Sequence, residues 1–99
     1  MFEPYPTFRK MKDHFFYALY MLEENIDDAR SHGRIAVDLL VQVYSNEYKF
    51  DSTKQFMDAH FLEFIALFKG DKNNKEVFDK LIQVDSNHES AYRENTFGS

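Results

Sequence analysis

"IAVDLLVQVYS", residues 35–45, is the stretch whose reading decides the fold class. Ile35, Val37, Leu39, Val41 and Val43 alternate as the buried face of a strand would. Asp38, Gln42 and Ser45 instead share one polar stripe at helical spacing. A strand here has only "YKF", residues 48–50, to pair with, and an isolated hairpin is marginal in water. The segment therefore predicts a helix, and the chain predicts an all-α fold. Over residues 1–99 we expect a single compact bundle of four to five antiparallel helices.

Upstream, Phe8, Met11, Phe15, Leu19, Leu22, Ile26 and Ala29 recur at steps of three and four, which marks one helical stripe. The two prolines before it predict an extended N-terminal arm over residues 1–6, with Thr7 as the helix cap. The helix is expected to end near His32, with Gly33 in the left-handed closing position. Downstream, Ser52 and Gln55 read as a capping box. They open a helix with Phe56, Met57, His60, Phe64, Leu67 and Phe68 on one side, which ends at Lys69 and Gly70. Asn73 with Glu76 caps a fourth helix, which presents Val77, Phe78, Leu81 and Ile82. Ser86 with Glu89 caps one or two further turns, and residues 95–99 form a polar tail. Residues 78–94, "FDKLIQVDSNHESAYRE", resemble the junction between tetratricopeptide repeats, with Ser86 where that family carries proline. The resemblance is confined to this fragment and implies a helix-turn-helix there.

The 99 residues suffice for one domain, and 43% of them are hydrophobic, so a core is available. Three glycines and two prolines disfavour disorder and turn-rich β folds. Eleven Phe and six Tyr exceed what one small core has room for, so some rings are expected to face a partner. With a net charge of −5 and no basic stripe, nucleic acid is not an expected ligand. Cysteine is absent, which excludes disulfides and thiolate metal sites. No leader-like segment or membrane span is legible, so the expected location is the cytoplasm.

"MLEENIDDAR", residues 21–30, is the local anomaly. On a continuous helix, Glu23/Asp27 and Glu24/Asp28 are like charges at i, i+4, each pair costing about 0.2–0.5 kcal/mol. They would also lie in the half where the helix dipole disfavours negative charge. On the helical wheel the acidic residues continue into Phe16, Tyr17 and Tyr20, on the side away from the core stripe. Tyr17, Tyr20, Glu23, Glu24, Asp27 and Asp28 are therefore the expected partner-binding face. Carboxylates there stand in for phosphates and tyrosines for bases, the strategy of a protein that captures a basic, nucleic-acid-binding surface. The bland counterpart is a solvated acidic face.

The expected function is non-catalytic protein binding. The model is an acidic inhibitor, immunity- or antitoxin-type protein that neutralises a basic partner such as a toxin nuclease. A helical adaptor or homodimeric scaffold is the alternative. No catalytic residue and no cofactor is expected. His60 with Glu63 could form a general base oriented by a carboxylate, yet a buried histidine satisfied by one hydrogen bond is the simpler reading. Glu24, Asp28 and His32 have the spacing of a metal ladder, but His32 as a cation at a helix end is simpler, and no metal is expected. His14 and His88 read as surface residues, and the Asp85–Asn87 turn offers too few oxygens for a calcium loop.

Overall fold

The computed structural model describes residues 6–45 and 51–96. Five α-helices make up these residues: α1 Pro6–Met21, α2 Ile26–Ser45, α3 Asp51–Phe68, α4 Asn74–Val84 and α5 Glu89–Glu94. A single 3₁₀ turn, Ser86–His88, joins α4 to α5. Residues 35–45 are helical, as the polar stripe predicts, and the described residues contain no strand. The pairing segment considered at 48–50 and residues 1–5 of the expected arm lie outside the described residues, as do residues 97–99.

The boundary between the first two helices departs from expectation. The stripe that seemed to run unbroken to His32 is interrupted at residues 22–25, and α2 begins at Ile26. Asn25 is the cause. Its Oδ1 accepts the Asp28 N–H at 3.1 Å, and its carbonyl accepts the Ala29 N–H at 2.9 Å, so it caps α2. Ile26, which a continuous stripe would bury, is 39% exposed. Gly33 does not close a helix. It lies buried inside α2, where an added Cβ would stand 2.8 Å from Phe68 Cζ. A helix-interior glycine costs about 1 kcal/mol relative to alanine, and here it makes room for the Phe68 ring against the α2 backbone.

The contacts fix the helix directions. Tyr17 meets Asp28 and His14 meets His32, so α1 and α2 form an antiparallel hairpin, the most extensive interface of the fold. Phe8 meets Phe56 and Phe15 meets Phe64, so α3 runs parallel to α1. The core is built from Met11, Phe15 and Ala18 of α1, Ala36, Val37 and Leu40 of α2, and Phe64, Leu67 and Phe68 of α3. Phe78 and Leu81 of α4 and Tyr92 of α5 complete it.

Two arginines of α2 hold the end of α3. Arg30 donates from Nε to the Leu67 carbonyl at 3.0 Å and from Nη2 to the Lys69 carbonyl at 3.1 Å, satisfying carbonyls that the helix leaves without partners. Arg34 pairs with Asp71 at 2.5 Å and lies over the Phe68 ring. Gly70 stops α3 at φ 87°, as the sequence predicts.

The caps follow expectation in place more than in chemistry. Pro6 already belongs to α1, one residue before the expected Thr7 cap, because the first helical turn tolerates a missing N–H. Ser52 lies inside α3. Asn73 is the cap of α4 but makes no side-chain cap bond; its own N–H goes to Asp71 Oδ1 at 3.0 Å. Ser86 is the first residue of the 3₁₀ turn, whose cap is Asp85. Residues 95 and 96 are not a free tail: Asn95 donates to the Ala91 carbonyl, Thr96 to the Tyr92 carbonyl, and buried Asn74 donates to the Asn95 and Phe68 carbonyls.

Candidate partner-binding face

The second half of α1 and the start of α2 bring the six expected residues to one end of the hairpin, but not as one continuous helix face. Tyr17 and Tyr20 belong to α1 and are 42% and 76% exposed. Glu23 and Glu24 sit in the turn, and Asp27 and Asp28 in the first turn of α2. The expected electrostatic conflict is thereby removed. The pairs Glu23/Asp27 and Glu24/Asp28 do not lie on one helix, and Asp27 and Asp28 occupy the end where the dipole favours negative charge.

The six residues divide into two sets. Tyr17 and Asp28 are engaged within the molecule. The Tyr17 hydroxyl donates to Asp28 Oδ2 at 3.1 Å, and this hydrogen bond, followed by the charge of Asp28, raises the Tyr17 pKa. Asp28 Oδ1 also lies 3.6 Å from His32 Nε2, and the Tyr17 ring meets His32 edge-on at 4.4 Å. His32 Nδ1 stands 3.0 Å from His14 Nδ1, so one ring donates and the other accepts. His14 is thus part of the α1–α2 interface, not a free surface residue.

Tyr20, Glu23, Glu24 and Asp27 form the second set. All four are exposed, and no cation of the described residues pairs with the three carboxylates. Phe16 extends this set toward α3. It is 46% exposed, with one side of its ring packed edge-on against Phe15, Phe56 and His60. Its place beside Tyr20, one turn away on the same helix, was legible from the wheel.

His60 does what a packed histidine does. It lies among Phe15, Phe16 and Phe56, and its Nδ1 pairs with Glu63 Oε1. Of the three residues at ladder spacing, where no metal is expected, Asp28 and His32 meet, while Glu24 stays in the turn. His88 is not a simple surface residue either: it stacks on Phe61 and contacts Asp85. No helix of the described residues is long and apolar enough to cross a membrane. No protein-family model, curated protein or solved structure matches the chain.

Proposed function

We propose that this protein is a non-catalytic binding protein, an acidic inhibitor of the immunity or antitoxin kind, that neutralises a basic partner such as a toxin nuclease. The observation that carries the proposal is the juxtaposition, at one end of the α1–α2 hairpin, of the exposed Phe16 and Tyr20 rings with Glu23, Glu24 and Asp27, three exposed carboxylates that no cation of the described residues pairs with. Exposed rings supply contact area at low entropic cost, and unpaired carboxylates steer a cationic surface into place. Tyr17 and Asp28 contribute by holding the two helices in register. The proposed place of action is the cytoplasm, where a nuclease meets nucleic acid.

The same rings could serve a second copy of the chain, as in a homodimeric scaffold. A twofold pairing of this strip would bring its carboxylates against one another, which disfavours that reading. Light scattering that gives twice the chain mass at micromolar concentration would reverse the preference.

The test is affinity capture from the source lysate with two baits, the native chain and an E23Q/E24Q/D27N variant. Tyr17 and Asp28 are left intact so that the fold is preserved. A basic protein held by the native bait, lost from the variant and released by salt supports the proposal. Equal recovery on both baits sinks it.

A further inference from the structure

Asp85 is a buried carboxylate at the junction of α4 and the 3₁₀ turn, 4% exposed. Both of its oxygens lie 2.9 Å from His88 Nδ1, and the Tyr92 hydroxyl donates to Oδ2 at 3.3 Å. From α3, Asp58 turns a third ligating side chain to the same point, with Oδ1 3.9 Å from His88 Nδ1. One ligand atom from each of the three residues lies within 4.8 Å of the others. Burial of a carboxylate calls for compensation. Both Asp85 oxygens face one imidazole nitrogen, whose single N–H can serve only one of them at a time. At 3.9 Å Asp58 is beyond hydrogen-bond reach of that proton.

We infer that Asp58, Asp85 and His88 form a binding site for one first-row transition-metal dication, with zinc as the representative ion. A dication would balance both carboxylates and take the imidazole lone pair. The donor set of one nitrogen and two carboxylates suits zinc or its neighbours better than calcium or magnesium, which seek all-oxygen shells. Ligands about 2.0–2.2 Å from a common ion are separated by roughly 3–4 Å. His88 and Asp85 already stand near that separation. Asp58 reaches it by a small rotation, for which its side chain, 53% exposed, has room. The supporting shell is in place as well. Tyr92 orients Asp85, and Phe61, stacked on His88 at 3.8 Å and 19°, fixes the imidazole plane. Bound metal would tie the end of α4 and the following turn to α3, with its remaining positions open to water.

The test is zinc titration of the full chain by calorimetry after dialysis against chelator, in parallel with Asp58→Asn and His14→Asn variants. Asp58 is exposed, so its substitution removes a ligand without touching the core. The expected result is saturable binding of one zinc ion, weakened roughly tenfold or more by Asp58→Asn and unchanged by His14→Asn. A Tm that rises with zinc in the native chain and fails to rise in Asp58→Asn would agree. Absence of saturable binding up to millimolar zinc overturns the inference. So does equal affinity for the Asp58 variant, which would place the ion elsewhere.

Discussion

Two of the helix junctions among the described residues solve one problem with different residues. Between α3 and α4 the chain reverses through Gly70 at φ 87°, with Asp71 beside it. Between α1 and α2 it reverses through residues 22–25 without a glycine, and no non-glycine residue among those described has positive φ. There the new helix is started by Asn25 and not announced by a left-handed stop. Gly33, the glycine that seemed destined for that reversal, lies a full two turns inside α2. The two glycines therefore differ in kind: Gly70 is needed for its backbone conformation, Gly33 for its missing side chain.

The sharpest way to break this comparison is to add side chains at both. Gly33→Val should be the most damaging, about 2–4 kcal/mol, because Phe68 is fully buried and its ring has nowhere to go. Gly33→Ala should be milder, and Phe68→Leu should relieve it with a coupling of roughly 1 kcal/mol in a double-mutant cycle. Gly70 has nothing within 4 Å of an added Cβ, so Gly70→Ala should cost about 1–2 kcal/mol from conformation alone. Larger unbranched residues there should cost about the same as alanine. Equal size dependence at both sites, by urea denaturation, would erase the distinction.

Smaller effects sharpen the other junction. Asn25→Ala should lose about 1 kcal/mol by removing the cap of α2. Asp27→Asn should destabilise by about 0.3–1 kcal/mol, whereas a position late in a helix would have made the same change stabilising. The sign alone decides between a turn at residues 22–25 and an unbroken helix.

The smallest effect concerns pH. Burial pushes the Asp71 carboxyl up, but the Asn73 N–H, the Arg34 guanidinium and the Arg30 charge together bring it below the ordinary carboxylate range. A carboxylate whose pKa is lower in the folded than in the unfolded chain stabilises the fold above the unfolded value. That contribution is lost as pH falls through the folded value, below about pH 4. Arg34→Gln should therefore flatten the acid limb of the stability curve while leaving its shape above pH 5 or so unchanged, as followed by circular dichroism.

Much of the candidate face could be read from spacing. Phe16, Tyr17 and Tyr20 fall off the core stripe by helical arithmetic, and their exposure follows. The division of labour within the face could not be read. That Asp28 answers Tyr17 requires α1 and α2 to fold back on one another, whereas its approach to His32, one turn on in α2, was already given by the i, i+4 spacing. The convergence of Asp58 with Asp85 and His88 is likewise invisible in sequence, because the rest of α3 and the whole of α4 lie between them.

By itself the sequence determined the helical class, the stripes that became the core, the glycine stop at Gly70 and the near place of most helix starts. Those depend on local propensity and on the 3.6-residue period, which neighbours in sequence are enough to express. Tertiary structure decided that the local Asn25 cap is used, so that α1 ends before it, and why Gly33 is a glycine. A stripe with steps of three and four reads the same whether one helix carries it or two do. Only the return of α2 against α1, and of Phe68 against Gly33, gives the Asn25 turn and the missing Cβ their physical reason.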